Sequence, residues 1–248
     1  MLSRTFIHVA GIGPVTERRI WERGCHCWDD FLRDPTAAGL SAQKTERVAE
    51  TVASSLDHLR SEDHRYFSET LAPREHWRAF PEFGHRIAYL DIETTGMSEQ
   101  DAVTIIGVYD GRDVRVYTHG EDLQDFADDI GRYSLLVTFF GSCFDLPFLR
   151  RRFPKVQFDQ LHIDLCWALR RLGLTGGLKN IERKMGIPRS PETGGLDGWD
   201  AVRLWREWER GSRESLDLLK AYNREDIVNL ERLLHYAYDH LRAQTGIP

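Results

Sequence analysis

The spacing of hydrophobic and polar residues changes character about a third of the way along the chain. Before residue 61, apolar residues recur at three- and four-residue intervals, which predicts helices. One short helix follows the Gly11-Ile12-Gly13-Pro14 turn, and another covers Ser41 to Leu59. The polar stretch from Ser61 to Arg86 has little periodicity, which is typical of a connecting segment. We therefore predict a helical segment at residues 1–60 and a connecting segment at residues 61–86.

From residue 87 onward the pattern is that of a mixed α/β domain. Short apolar runs predict strands, longer periodic runs predict helices, and Asp110-Gly111 between two strands is a strong hairpin signal. The predicted strands are Ile87 to Glu93, Ala102 to Tyr109, Asp113 to Thr118 and Leu135 to Phe140. The predicted helices are Glu121 to Ile130, one starting near Asp145, Leu161 to Leu172, Leu178 to Met185, Ala201 to Arg210 and Arg213 to Leu241. This order predicts a mixed sheet flanked by helices over residues 87–248, with an exposed loop at Gly186 to Gly198.

The amino-acid composition argues against several classes of protein. The chain has 248 residues, of which 41% are hydrophobic and 29% charged; this argues against general disorder and fibrous repeats. No apolar run approaches the ~20 residues that a membrane-spanning helix needs, and the first residues lack the apolar block of a signal peptide. Four scattered cysteines do not form a disulfide framework, so we expect a cytoplasmic protein. A net charge of −6 disfavours nucleic-acid binding through bulk positive charge alone.

Acidic residues gather at three places that the predicted fold could unite. Asp91 and Glu93 share one face of the first strand of the domain, because side chains alternate along a strand. Asp145 follows the fourth strand, and Tyr222 and Asp226 share a face of the last helix. Four crowded carboxylates repel one another unless cations lie between them. All-oxygen ligands favour Mg²⁺ or Mn²⁺, and paired ions of this kind support in-line hydrolysis of phosphodiesters.

Three motifs carry a resemblance to a known family. Asp91-Ile92-Glu93-Thr94-Thr95-Gly96, Phe144-Asp145-Leu146-Pro147 and Tyr222-Asn223-Arg224-Glu225-Asp226 resemble the three motifs of the DEDD 3′-to-5′ exonucleases, in the ribonuclease-H-like superfamily. A tyrosine four residues before the final aspartate is typical of the tyrosine subclass. The chain is most similar to the YprB-type branch, whose members place a short helix-hairpin-helix-like segment before the nuclease domain.

The resemblance implies a fold, a cofactor and a reaction. It implies a ribonuclease-H-like sheet and two divalent ions, Mg²⁺ or Mn²⁺, held by the four acids. It also implies that Tyr222 positions or helps deprotonate the attacking water. The implied substrate is a single-stranded 3′ end of DNA or RNA, since both offer the same phosphodiester.

Further residues are candidates for contact with the substrate. They are Thr94, Thr95, Phe144, Lys179, Gly11 and Gly13. Lys179 lies in a segment, residues 146–190, with a surplus of seven positive charges, a candidate wall for nucleic-acid backbone. Gly11 and Gly13 form either a phosphate-binding turn or a plain structural turn. One departure from the family is Phe140, where many relatives have Asn; this leaves Asp145 as a ligand and places a polar contact near the substrate in doubt.

Several of these residues also have a simpler structural interpretation. The first two acids could cap a strand end in solvent, Asp145 could cap a helix, and Tyr222 could be a core aromatic. At the level of the protein, the alternatives to an exonuclease are a catalytically silent nucleic-acid-binding module of the same fold and a structure-selective endonuclease.

Overall fold

The computed structural model describes residues 1–98 and 100–248 as helices, strands and connecting turns. The strands are β1 (Ile87–Thr94), β2 (Val103–Tyr109), β3 (Val114–Thr118), β4 (Leu135–Thr138) and β5 (Leu161–Asp164). The α-helices are α1 (Pro14–Glu22), α2 (Trp28–Arg33), α3 (Ala42–Arg60), α4 (His64–Thr70), α5 (Phe80–Phe83), α6 (Phe126–Asp129), α7 (Asp145–Arg152), α8 (Leu165–Arg171), α9 (Leu178–Lys184), α10 (Gly198–Glu209) and α11 (Arg213–Thr245). Short 3₁₀ helices cover Leu2–Arg4, Pro73–Ala79, Gly84–Arg86, Leu123–Asp125 and Ile130–Arg132.

The chain divides into two compact units. The first contains Met1–His85, Asp159–Ile163 and Tyr238–Pro248, and the second contains Arg86–Phe158 and Asp164–Ala237. The division at residues 60 and 86 stays a prediction from the sequence. None of the helices among residues 1–98 and 100–248 combines the length and the hydrophobicity needed to cross a membrane.

A buried ion pair lies at the centre of the first unit. The carboxylate of Glu17, in α1, accepts the backbone N–H groups of Phe6 and Ile7 at 2.6 and 3.0 Å and a guanidinium nitrogen of Arg78 at 2.9 Å. Both charged side chains are nearly inaccessible to water, at 1% and 2% exposure. Because an unpaired charge is costly at such a site, the pair ties α1 to the segment around Arg78.

The turn before α1 adopts the conformation that its glycines allow. Gly11 has a φ of +85°, which side chains other than glycine rarely tolerate, and Gly13 is the N-cap of α1 with Pro14 as its first residue. This helix confirms the prediction of a short helix after the turn. A second helix, α2, was not predicted.

Residues 61–86, which the sequence predicts as a connecting segment, are largely helical. This stretch contains α4, α5 and two 3₁₀ helices, and it buries Phe67, Trp77 and Phe83. Helices of four to seven residues are too short to produce a readable period in the sequence. The start of α4 does carry a local signal, since the Asp63 carboxylate accepts the backbone N–H of Arg65 at 3.1 Å.

The sheet has the order β3-β2-β1-β4-β5 among the described residues. Strands β1, β2 and β3 form an antiparallel meander, and β4 runs parallel to β1. Apolar residues on one face of β1 and β2 pack with α6 and α7, while Ile105 on the other face packs with α10 and α11. This architecture confirms the predicted mixed sheet flanked by helices.

Two predicted helices of the second half differ in the structure. Residues 161–172 begin with β5 and turn into helix only at Leu165, because the Asp164 carboxylate caps α8 by accepting the backbone N–H of Cys166 at 3.1 Å. The predicted helix at residues 121–130 is broken into 3₁₀ and α-helical turns. The short apolar run at residues 161–164 fits the two-residue period of a strand as well as the period of a helix, and in the structure it is a strand.

Burial of His8 predicts a dependence of stability on pH. His8 is 7% exposed, its Nε2 lies 3.0 Å from the Ser55 hydroxyl, and burial lowers its pKa to about 4. The unfolded chain, with an ordinary pKa of 6.5, binds the proton more readily, so the free energy of unfolding falls as pH decreases from 6.5 to 4. The loss from this group is roughly 3 kcal/mol.

Urea unfolding of the wild type and of His8→Gln between pH 7 and pH 4 measures this component. We expect the wild type to lose stability more steeply than the variant over the window. Equal slopes for the two proteins would contradict the assignment to His8.

Candidate active site

The first two acids of the site lie at the end of β1, on the sheet face that packs against α10 and α11. In the ladder Asp91 pairs with Gly107 and Glu93 with Ile105. Ile105 belongs to the apolar cluster that includes Leu219 and Tyr222 of α11. The two-residue alternation of the strand therefore turns both carboxylates toward α11, as the sequence predicted.

Asp145 reaches β1 from the first residue of α7. Its carboxylate accepts the backbone N–H of Ile92 at 3.1 Å, and the residue is 2% exposed. Ile92 lies between Asp91 and Glu93, so this hydrogen bond fixes the start of α7 beside the two acids of the strand.

Three residues of α11 complete the site. Tyr222 and Asp226 are buried on the same face of the helix. Between them, the Asn223 amide donates to the Asp91 carboxylate at 2.9 Å and to the Asp91 backbone carbonyl at 3.3 Å. Asn223 is fully buried and was not predicted as a site residue, although it lies inside the third motif. A polar amide on the buried face of a long helix is the signal that could have found it.

Three of the carboxylates form a cluster. One oxygen from each of Asp91, Glu93 and Asp226 lies within 4.8 Å of the others. Glu93 Oε1 is buried and has no hydrogen-bond partner among the described residues. An unpartnered buried carboxylate oxygen beside two further carboxylates fits a site for a hard cation.

The electrostatics of the cluster support that fit. Burial, together with the neighbouring carboxylates, raises the pKa of Asp91 and Glu93 well above their ordinary range. Burial also raises the pKa of Asp145 to about 7 and that of Asp226 to about 6. The four groups are therefore reluctant to carry four negative charges together, and divalent cations would relieve this repulsion.

Two cationic side chains, Arg189 and Lys179, border the cluster and offset part of its negative charge. The Arg189 guanidinium contacts the Asp226 carboxylate, and it also binds Glu182 through two hydrogen bonds of 2.5 and 2.8 Å. Neither Arg189 nor Glu182 was predicted. Both lie outside the three motifs, and Arg189 sits in a stretch whose Gly and Pro content indicated only a loop.

Lys179 contacts the site tyrosine. Its ammonium donates to the Tyr222 hydroxyl at 2.8 Å and to the Leu196 carbonyl, and lies 4.1 Å from the centre of the Tyr222 ring. Burial, followed by the charges of Asp226 and Glu93, raises the pKa of the Tyr222 phenol above its ordinary value of 10. The phenol therefore keeps its proton at neutral pH.

A cavity of about 400 Å³ opens over the carboxylates. Its lining includes the four acids, Tyr222, Thr94 and Phe144, together with Met97, Phe140 and Trp199. The structure thus brings most of the predicted site residues to one cavity. The Thr95 hydroxyl instead donates to Asp101 at 2.9 Å, and Thr95 is not part of the lining. Gly11 and Gly13 belong to the first unit.

Comparison with known proteins gives a family and two structural neighbours. The RNase_H_2 model of the RNase H superfamily matches residues 88–238. The family B DNA polymerase from the hyperthermophilic archaeon Pyrobaculum calidifontis is 17% identical, with a TM-score of 0.49 over 60% of this chain and 24% of the polymerase chain. The Aedes aegypti Nibbler EXO domain is 12% identical, with a TM-score of 0.46 over 68% of this chain and 86% of that one. The chain spans about a quarter of the polymerase's length. No curated protein matches it.

The close approach of Asn223 to β2 predicts a sensitive glycine. A Cβ at Gly107 would lie well inside van der Waals distance of Asn223 Oδ1. We expect Gly107→Ala to lower the free energy of unfolding by about 1–3 kcal/mol, because either the helix or the amide must move.

Urea unfolding of Gly107→Ala measures this effect against Gly131→Ala, whose added Cβ meets no heavy atom within 4 Å. The control should change stability by less than about 0.5 kcal/mol. A Gly107→Ala protein as stable as the wild type would show that the Asn223 contact does not constrain the fold.

Proposed function

The chain belongs to the RNase H superfamily, and we propose that it is a metal-dependent 3′-to-5′ exonuclease of the tyrosine subclass. The observation that carries the proposal is the cluster of Asp91, Glu93 and Asp226, with Asp145 hydrogen-bonded to the strand between the first two. The spacing of Tyr222 and Asp226 and the resemblance to YprB-type proteins support the subclass. The proposed substrate is a single-stranded 3′ end of DNA or RNA.

The four acids would hold two divalent ions. Their oxygens are hard ligands, which favour Mg²⁺ or Mn²⁺ over softer metals. Bound ions of this kind would supply charge stabilisation for the phosphodiester and lower the pKa of a water. The raised pKa values of the carboxylates mean that the site without metal binds protons in place of cations.

Tyr222 would orient the attacking water. Because the phenol keeps its proton, it is a poor general base and a good hydrogen-bond donor. The Lys179 ammonium already donates to the Tyr222 oxygen at 2.8 Å, so the phenolic hydrogen is directed to another acceptor. Hydrolysis adds the water oxygen to phosphorus and breaks the bond to the 3′ oxygen, which leaves with a proton that the water gives up, and a nucleoside monophosphate is released.

Other parts of the proposal are contacts with the substrate that the sequence predicts. Phosphate contacts by Gly11 and Gly13, and contacts of Thr94, Thr95, Phe144 and Lys179 with the terminal nucleotide, belong to this group. For Lys179 the contact with Tyr222 favours an action on the tyrosine over a direct contact with phosphate.

Removal of one ligand tests the proposed reaction. We expect Asp91→Ala and Asp226→Asn to slow the release of nucleotides from a labelled single strand roughly a hundredfold or more, and to weaken Mn²⁺ binding in calorimetry. Glu225→Gln is the matched control, because Glu225 adjoins Asp226 in sequence and instead accepts the Ser190 backbone N–H at 3.0 Å.

The alternatives give different results in the same experiment. A silent binding module would bind Mn²⁺ through the acids and release no nucleotide from any strand. An endonuclease would cut circular single-stranded DNA, which an exonuclease leaves intact because it needs a free end. Unchanged cleavage by either ligand variant would overturn the assignment of the site.

Loss of the phenolic hydroxyl tests the role of Tyr222. Tyr222→Phe keeps the ring under Lys179 and removes only the oxygen, so we expect kcat to fall roughly tenfold to a hundredfold with Mn²⁺ affinity unchanged. Steady-state kinetics together with calorimetry measures both quantities. A fall in Mn²⁺ affinity with kcat preserved would instead assign the tyrosine to the metal site.

A further inference from the structure

Exposed hydrophobic side chains are concentrated around the cavity. Among the described residues, six large hydrophobic side chains are exposed, and three of them, Met97, Phe140 and Trp199, line the cavity. A fourth, Trp167, packs against Phe140 with ring centres 6.1 Å apart. Single exposed hydrophobic residues are ordinary, whereas several together at one rim indicate a binding surface.

Phe140 is held in an unfavourable backbone conformation. Its φ is +67°, in the left-handed region that bulky residues rarely adopt, yet its side chain is 43% exposed. The Asp164 carboxylate fixes the loop by accepting the Phe140 N–H at 2.8 Å and the Ser142 N–H at 3.0 Å. Burial of the ring therefore contributes little stability to offset the strained backbone. This indicates that the ring has a role outside the folded core.

Trp167 is fixed in a complementary way on α8. Its indole N–H donates to the Ser142 hydroxyl at 3.1 Å, and that hydroxyl donates to Asp164 at 2.5 Å. The polar edge of the indole is thus satisfied within the protein, while the side chain is 41% exposed. The Arg170 guanidinium lies 5.7 Å from the centre of the same ring.

We propose that Phe140, Trp167 and Arg170, here called the aromatic track, bind the unpaired bases that precede the scissile nucleotide of a single strand. Exposed aromatic faces beside a guanidinium are suited to unstacked nucleobases and the anionic backbone that joins them. Phe140 lines the cavity and Trp167 does not, so the track begins at the rim and leads away from the carboxylates. The inference rests on the proposed function, because it assigns the track to the strand that the cavity would cleave.

The charge beside the aromatic track and the geometry of nucleobases indicate which ligand binds there. Arg170 and Arg171 are both exposed at the end of α8, and they favour an anionic partner over a neutral apolar one. In a blunt duplex only the outer face of the terminal base pair is free, so two successive bases cannot each present a face to Phe140 and Trp167. The track therefore favours a single-stranded extension of at least two nucleotides over a blunt duplex end.

Binding without cleavage tests the track. A fluorescein-labelled (dT)₁₀ is titrated with the protein in the presence of a chelator, and anisotropy gives Kd. We expect Trp167→Ala and Phe140→Asn each to raise Kd roughly tenfold, the loss typical of one stacking contact. Asn tolerates the left-handed backbone at position 140, so this variant removes the ring without adding strain.

Two controls separate stacking from a loss of folding. Trp167→Phe keeps an aromatic face and should bind within about threefold of the wild type. Trp208→Ala removes an indole that also lies beside an arginine, Arg213 at 5.6 Å, but packs against the apolar cluster of α10 and α11 instead of Phe140; it should leave Kd unchanged. A 2-aminopurine at the second position from the 3′ end reports stacking directly, and its quenching should be lost in Trp167→Ala.

The outcomes distinguish the track from the nuclease proposal. Equal Kd values for the wild type, Trp167→Ala and Phe140→Asn would overturn the track, as would a blunt duplex that binds as tightly as (dT)₁₀. Neither result bears on cleavage by the wild type with Mg²⁺ or Mn²⁺. Conversely, binding that depends on Trp167 in a protein that cleaves no strand would uphold the track and overturn the proposed function.

Discussion

Mutual repulsion among four carboxylates is the constraint around which the second unit is organised. Asp91 and Glu93 stand on one face of a central strand, and α7 and α11 bring Asp145 and Asp226 to the same place. Glu93, Asp145 and Asp226 are buried, Asp91 is partly buried, and each of the four has a raised pKa. Such an arrangement costs stability in the folded protein, and the apolar packing of the sheet against its two helix layers offsets this cost.

The surrounding residues reduce this cost without removing it. Arg189 contacts Asp226, the Asn223 amide donates to Asp91, and the backbone of Ile92 donates to Asp145. Glu93 keeps one buried oxygen with no partner among the described residues. The negative charge is therefore only partly offset where the three clustered carboxylates meet. A cation would be bound most strongly at this point.

Much of the fold and of the acid cluster follows from residue spacing alone, and the exceptions have physical causes. Alternation in β1 and the four-residue spacing in α11 place Asp91, Glu93 and Asp226 correctly, because both patterns are local. Arg189 is different, since its position depends on how a loop of low periodicity returns to the site. The helices before β1 do not follow from the sequence because they are shorter than the window over which a period can be recognised.

The loop between β4 and α7 connects a residue at the rim of the cavity to one of the four acids. It carries Phe140 at one end and leads to Asp145 at the other, and Asp164 holds its middle through the backbone of Phe140 and Ser142. Position 140 thus bears an exposed ring at the rim of the cavity, while the carboxylate five residues later keeps its bond to β1. The loop therefore combines an exposed ring with a fixed carboxylate, because Asp164 holds the backbone of Phe140 and Ser142 while the Ile92 N–H holds the Asp145 side chain.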